Sequence, residues 1–519
     1  MRLTSRSAFL TTLLVLVLGA VTAAWIMKPW RPRRPRFEAP PSILFLLLDT
    51  VRADHVSCYG YQRPTTPRID ALAAHGTRFA QAQAMAPWTI PSVASLWTGV
   101  QPSVHSAGIP ARIKRFQDET SFRGFKQDAL ATLPMRLAQQ GYRNYAVIAN
   151  PLLTNECYTS GFVKDRCVVE RKSAEAVVDQ ALSWLPELEG GAPFFLYVHF
   201  MDAHQPIEPP PRYRDLFPTD GEDRGRLAGA PEQQTHGRFA EWGGYYLPER
   251  MHGAKFDAFR ASKVAVYDGA LRYMDDQIGR LLDALQSRHL LDRTIVVVTA
   301  DHGEEMWDHV RLQTELYDVK LRPHVGIGHG HTQFQELLSV PLVVAGPQLP
   351  VAVVAPRVSL PDIGATLLDL ATGDADVRFG LSSSLVELMI GADRAGRTVV
   401  SEETSFGYEV KALVDERGMK LIAAIDPSEH DALFDLNADP GETRNLLASQ
   451  PAAADRLRGM LRARLDRARQ LRLDPGAFSS VPKSELNKLG YIGAGRDKSQ
   501  GDGDAKPLDK PADSAPDKH

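Results

Sequence analysis

Cysteine is nearly missing from this chain: three occur in 519 residues, at Cys58, Cys157 and Cys167. So few cannot staple a fold, which excludes a disulfide framework. Cys58, inside Ser57-Cys58-Tyr59-Gly60-Tyr61, reads as a small buried residue. Cys157 and Cys167 lie ten residues apart in a loop-like stretch and could close one local bridge in an oxidising compartment; the residues alone leave that open. Excess charge of either sign is missing too, since 60 Lys and Arg stand against 63 Asp and Glu, a formal net charge of −3. That balance carries no electrostatic footprint for nucleic acid, which is excluded as a partner. Hydrophobic residues at 44% and charged residues at 24% are ordinary for a globular protein. The length predicts one large domain plus a smaller one.

Charge is wholly absent from Ala8 to Met27, after Arg2 and Arg6, and that run is long enough to span a bilayer. Val21-Thr22-Ala23-Ala24 offers small residues for signal cleavage, although apolar residues continue through Trp25-Ile26-Met27. The cations that follow (Lys28, Arg31, Arg33, Arg34, Arg36) favour a cytoplasmic domain by the positive-inside tendency, a cue that large folded domains often override. Pro29 to Pro41 reads as a stiff spacer. The expectation is an extracytoplasmic protein, in the periplasm or at the cell exterior. Residues 8–27 would anchor it to a membrane, or be cleaved to release it.

Continuous apolar runs at Ile43 to Leu48, Tyr145 to Ile148, Phe194 to Phe200, Ile295 to Val298 and Pro341 to Val344 predict strands buried on both faces. Between them, Val264, Tyr267, Leu271, Met274, Ile278, Leu281 and Leu285 recur at helical spacing. Alternating strands and helices predict an α/β fold with a mostly parallel sheet between helices, and ligands then gather at the carboxyl ends of the strands. Asp49, Asp202 and Asp301 each follow such a strand. The polar stretch from Pro209 to Met251 reads as a surface insertion. Short strands at Arg397–Glu402 and Lys420–Ile422, then a helix near Ala452 to Gln470, predict a smaller α+β subdomain. The expected divisions are 1–41 for the anchor and linker, 42–385 for the catalytic domain, 386–495 for the C-terminal subdomain and 496–519 for a disordered tail.

The stretch Pro87-Trp88-Thr89-Ile90-Pro91-Ser92-Val93-Ala94-Ser95-Leu96-Trp97-Thr98-Gly99 resembles the sulfatase signature, in which Cys or Ser opens a C/S-x-P-S-R…T-G motif. Asp301-His302-Gly303, Asp202-Ala203-His204-Gln205-Pro206, Gly328-His329-Gly330-His331 and Leu433-Phe434-Asp435-Leu436 also resemble sulfatase motifs, as does Leu489-Gly490-Tyr491 near the end. The resemblance covers roughly Ser42 to Gly493 and implies a fold of the alkaline phosphatase superfamily. It implies a divalent metal (Ca, Mn or Zn, with a second site possible) held by Asp49, Thr89, Asp301 and His302. Thr89 becomes the nucleophile, with His204 and His329 holding the substrate anion and protonating the leaving group, or else joining Asp202 at a second metal. Arg52, Asn150, Asp202 and His331 are candidate substrate contacts, with an ion pair to Asp54 or a neighbour as the other reading of Arg52. His199 and His309 read as structural or supporting.

The departures set the expected chemistry. In sulfatases the Cys or Ser becomes a formylglycine, and its hydrate expels sulfate by collapsing to the aldehyde. Thr89 cannot form that aldehyde. The family's Arg is Val93, and where the family carries Gly-Lys-x-His after the strand that follows Gly-Tyr-Arg, here Gly141-Tyr142-Arg143-Asn144 is followed by Ile148-Ala149-Asn150-Pro151, without the Lys or the His. Thr is the nucleophile in related nucleotide phosphodiesterases, lipoteichoic acid synthases and lipid phosphoethanolamine transferases. The expectation is therefore a metal-dependent hydrolase or transferase acting on a small-molecule, lipid or glycan phosphoester through phospho-Thr89. The alternatives are a sulfuric ester hydrolase without formylglycine and an inactive binding protein.

Overall fold

The apolar run at 43–48 forms the strand Ser42–Leu48, buried at every position. A strand with two buried faces needs cover on both sides, which places it in the middle of a sheet between helices. The computed structural model describes residues 33–108, 122–170, 172–219, 252–317, 326–405, 409–425 and 430–476. The apolar segment 8–27, residues 220–251 of the insertion, the Leu489-Gly490-Tyr491 motif and the tail 496–519 lie outside the described residues. Among the described residues no helix is long and apolar enough to cross a membrane.

The main sheet has eight strands in the spatial order Ala352–Val354, Thr77–Phe79, Leu342–Ala345, Thr294–Ala300, Ser42–Leu48, Phe194–Phe200, Arg143–Ile148, Cys167–Val169. Only Leu342–Ala345 runs antiparallel to its neighbours; the other pairings are parallel. The expected mostly parallel α/β sheet is the one that forms. Register then sets the site, because Leu48 lies level with Phe200 on one side and Ala300 on the other. Three adjacent strands end together, and the residues just after them emerge along one edge. The predicted helix extends over Ala254–Ser287, with Tyr267, Leu271, Met274, Ile278, Leu281 and Leu285 buried.

The segment before the first strand is held by the body of the fold. Arg34 Nη2 donates to both Asp369 oxygens at 2.6 and 2.5 Å, its Nη1 pairs with Glu387, and Tyr142 donates to the Pro41 carbonyl at 2.6 Å.

Near the C-terminus, Val399–Ser401, Val410–Val414, Met419–Ala424 and Ala432–Asp435 make a four-stranded antiparallel sheet. Its two faces follow the period of two. Val410, Ala412, Val414, Ile422, Ala432 and Phe434 join the main core, while Leu413, Leu421, Ala423 and Leu433 pack on Leu457 and Leu461 of the helix Pro451–Leu471. Both thiols of the possible Cys157–Cys167 bridge are free. Cys157 lies in the short helix Glu156–Thr159 and Cys167 on the edge strand, so the structure does not close that bridge.

Candidate active site

Thr89 opens the helix Thr89–Thr98, all ten residues of which are buried. Trp88 is the extended N-cap, and Gly99 ends the helix at φ 72, a left-handed conformation that favours glycine. Thr89 is thus the first helical residue rather than a cap, and its side chain faces other elements. Its Oγ lies 3.2 Å from His302 Nε2 and accepts from Asn150 Nδ2 at 3.3 Å. One turn on, Val93 points into the hydrophobic core and Ser92 Oγ donates to the Asp301 carbonyl at 2.6 Å. The helix is thereby fastened to the end of the neighbouring strand.

Asp49 follows Ser42–Leu48 and is held by its own N–H, which donates to the Phe200 carbonyl at 2.9 Å. Asn150 donates to Asp49 Oδ2 at 2.7 Å, and His199 Nε2 stands 3.3 Å from the same oxygen. His302 Nε2 lies 3.6 Å from Asp49 Oδ1 and 3.4 Å from Asp301 Oδ2. The His302 Nδ1 contact with the Gly303 carbonyl at 2.8 Å assigns the ring proton to Nδ1 and turns the Nε2 lone pair toward the carboxylates. Thr50, at φ 61, turns its N–H to Asp301 Oδ1 at 3.4 Å. Gly303 passes so close to the next loop that a Cβ would sit 1.9 Å from the Glu336 carbonyl oxygen, which accounts for glycine at that position.

Electron-rich atoms therefore converge. Among the described residues the buried Asp49 Oδ1 and Asp301 Oδ2 have no hydrogen-bond partner, although burying such atoms unpaired is costly. One ligand atom each from Asp49, His199 and Asp301 lies within 4.8 Å of the others. Burial and then the Asp49 charge push the Asp301 carboxyl well above its usual range, and burial lowers His302. For Asp49, burial acts upward, but His199, His204 and His302 outweigh it and bring the carboxyl down. A donor set of two carboxylates, a hydroxyl and imidazole nitrogen fits a divalent cation.

A two-stranded hairpin adds the other half of the pocket. Glu305–Met306 pairs antiparallel with Ile327–Gly328, with Glu305 opposite Gly328. Glu304 Oε2 thereby meets His329 Nδ1 at 2.7 Å, and Glu305 Oε2 meets His331 Nε2 at 2.5 Å. Gly330, at φ 80, donates its N–H to the Pro87 carbonyl at 2.8 Å and links this strand to the loop before Thr89. The His329 ring lies 4.5 Å from that of His302 and 4.8 Å from that of His204, centroid to centroid. His204 Nδ1 is fixed to the Gln205 carbonyl at 2.7 Å. Burial lowers His204 and His329 to about 4 and raises Glu304 to about 8.

The sequence candidates are distributed unevenly. Asp49, Thr89, Asn150, Asp301 and His302 meet directly, and the His329 ring lies tilted beside His302 with His204 edge-on to it. Arg52 takes its ion-pair alternative: Nε and Nη2 bind Asp54 at 2.9 and 2.8 Å, and Nη1 binds Asp308 at 2.7 Å. Asp202 Oδ1 accepts from Ala174 N–H at 3.1 Å at the start of the helix Ala174–Ser183, and His331 is held by Glu305. Two residues come in that were not placed in the pocket from sequence, His199 and Glu304. A histidine inside the otherwise apolar Phe194–Phe200 run was a signal for the first. The two acids of Glu304-Glu305, directly after Asp301-His302-Gly303, were a signal for the second. His309 is bound by Glu336 at 2.7 Å and by the Gly441 carbonyl at 2.9 Å, in a network with Glu442 and Lys420.

Comparison with known proteins identifies the family. The sulfatase family profile matches residues 41–373, more than half of the chain. An arylsulfatase of Clostridium perfringens is 24% identical over 467 residues, covering 79% of this chain and 91% of that protein. A solved 2-O GAG sulfatase superposes with a TM-score of 0.61 at 19% identity, covering 86% of this chain and 96% of that one. The phosphonate monoester hydrolase from Silicibacter pomeroyi superposes with a TM-score of 0.59 at 21% identity, covering 82% and 95%. On a profile match over more than half of its length, the chain belongs to the sulfatase family of hydrolases.

Proposed function

We propose that this chain cleaves phosphorus esters by way of a covalent intermediate on Thr89, with water or a second alcohol as the final acceptor. The observation that carries the reading is the position of Thr89 Oγ, 3.2 Å from His302 Nε2 at the first residue of a buried helix. A helix N-terminus favours an anion, so a phosphoryl group beside Thr89 meets backbone N–H groups as well as side chains. Asp49, Asp301, His302 and Thr89 Oγ would hold the divalent cation, which lowers the hydroxyl pKa and draws charge from the phosphoryl oxygens.

Thr89 Oγ, its proton lost to solvent, bonds to phosphorus as the bond to the leaving oxygen breaks. That oxygen takes a proton from an imidazole, His329 or His204. Water then bonds to phosphorus, the bond to Thr89 breaks, and the two protons of the water return to the imidazole and to Thr89. Asn150 steadies Asp49 and Thr89 together through one amide.

Sulfuric ester hydrolysis is the second reading, favoured by the arylsulfatase relative. Against it, a sulfo-Thr has no aldehyde collapse by which to release sulfate. The intact acid and histidine set argues against a catalytically inactive binding protein. The domain extents 42–385 and 386–495, and an extracytoplasmic location with residues 8–27 as membrane anchor, belong to the same proposal. A glycan, lipid or small-molecule ester suits it equally.

The test is kcat/KM of the purified protein on 4-nitrophenyl phosphate, bis(4-nitrophenyl) phosphate, 4-nitrophenyl phenylphosphonate and 4-nitrophenyl sulfate. At least one phosphorus ester should exceed the sulfate by ~10²-fold or more, a gap of about 2.7 kcal/mol in the barrier. Sulfate turnover equal to or above every phosphorus ester overturns the reading.

A further inference from the structure

We infer that Tyr267 is a positioning residue of the cation site: its hydroxyl clips the turn after Asp49 in the conformation that presents Asp49 and Asp301 to one ion. This rests on the donor set proposed above and adds to it a residue that lies outside that set.

The turn itself is the first ground. Thr50 has φ 61, a left-handed conformation, and it is a β-branched residue with no exposed surface. Branching at Cβ makes that region costly, and such a conformation persists only where its surroundings over-determine it. Thr50 stands directly after Asp49 and turns its N–H to Asp301 Oδ1 at 3.4 Å. The same oxygen accepts from the His302 N–H at 2.9 Å, so Oδ1 is engaged by backbone and Oδ2 is the Asp301 oxygen left for a cation. Thr50 Oγ donates back to the Asp49 carbonyl at 2.7 Å. The residue therefore offers the site its N–H and not its hydroxyl.

The second ground is what holds the turn. Tyr267 lies 217 residues from Thr50 in sequence, and its hydroxyl donates to the Thr50 carbonyl at 2.8 Å. It accepts from the Arg52 N–H at 3.0 Å, so one phenolic O–H gives a bond and takes a bond across Val51. Tyr267 is in turn fixed on the helix Ala254–Ser287, with no exposed surface. The His55 ring stands edge-on to it at 5.2 Å, and His55 Nδ1 lies 2.7 Å from Asp268, the next residue of that helix. Helical spacing puts Tyr267 in the core with Leu271 and Met274, where a phenylalanine would bury the same ring. The hydroxyl is the part that core packing does not explain.

The test uses the full metal-free protein with Mn²⁺, Ca²⁺ and Zn²⁺, each titrated by isothermal calorimetry, and takes the tightest-binding ion as the probe. Tyr267→Phe should weaken the Kd for that ion by ~10–10²-fold, the usual cost of losing a group that orients metal ligands. Thr50→Gly should bind within ~3-fold of wild type, because glycine adopts positive φ without the Cβ penalty. The decisive variant combines the two. With glycine at position 50, the loss caused by Tyr267→Phe should shrink to ~3-fold or less. A hydroxyl that served core stability alone would lower the melting temperature of Tyr267→Phe and leave its Kd unchanged, which overturns the inference. A double variant that binds as weakly as Tyr267→Phe alone also overturns it. If Tyr267→Phe does not fold, the double variant supplies the comparison. Folding restored by glycine, with a Kd near that of Thr50→Gly, supports the clip, and a double variant that fails to fold overturns it. Each of these failures leaves Asp49, Thr89, Asp301 and His302 standing as the donors. No uptake of any of the three ions by the wild type overturns the donor set and this inference together.

Discussion

The Asn150 amide donates to Asp49 Oδ2 at 2.7 Å, and this contact decides which oxygen of that carboxylate is left to face His302. Oδ2 is occupied by Asn150 and His199 on the side of the neighbouring strands, so Oδ1 turns inward with Asp301 Oδ2. Asn150 is a neutral dipole. It orders Asp49 and Thr89 together without adding positive charge to the pocket.

Removing either inward carboxylate should empty the cation site. Asp49→Asn or Asp301→Asn is expected to bring bound divalent metal well below one equivalent after dialysis, measured by elemental analysis. Ligand type leaves Ca, Mn and Zn open, and the same measurement on wild type identifies the metal. Full occupancy in both variants would disprove the proposed donor set.

Thr89→Ala should abolish turnover, with a loss of more than about 10³ in kcat, while fold and most metal binding persist. The expectation follows from the place of Thr89 Oγ beside His302 and Asn150. Circular dichroism and metal content separate a lost nucleophile from a lost fold. A variant retaining most of its activity on the best substrate would remove Thr89 from the chemistry.

Thr89→Cys, co-expressed with a formylglycine-generating enzyme, should not restore efficient sulfate hydrolysis even where mass spectrometry finds the aldehyde. Val93 is packed in the core at the position of the family's Arg, and Asn150 follows the strand where cations are expected. An aldehyde in this pocket lacks the anion clamp. Sulfatase activity rising in proportion to the aldehyde would contradict that.

Five strands of the main sheet were legible because apolar runs such as Phe194 to Phe200 are buried on both faces, whereas the three-residue strands Thr77–Phe79, Cys167–Val169 and Ala352–Val354 are too short to show a run. Placing Asp49 and Asp301 at strand ends followed from that alone. Val410–Val414 was hidden because Lys411 interrupts its apolar character, and that lysine is buried against Glu402 at 3.8 Å and Glu409. Arg52 and Asp202 sit in motif positions yet bind Asp308 and the Ala174 N–H. Motif order fixes where the backbone goes, whereas the direction of a long side chain depends on partners far away in sequence. Glu304 escaped notice because only the hairpin register, a pairing across a gap of more than twenty residues, gives it a histidine.

The clamp of Arg34 on Asp369 and Glu387 also ties the segment before Ser42 to partners far away in sequence. Asp369 belongs to the helix Asp362–Thr372 and Glu387 to Val386–Met389, so the approach to the first strand is held by the body of the fold and not by its own neighbours. A pull applied at the first described residues is therefore resisted by those helices before it reaches Ser42–Leu48.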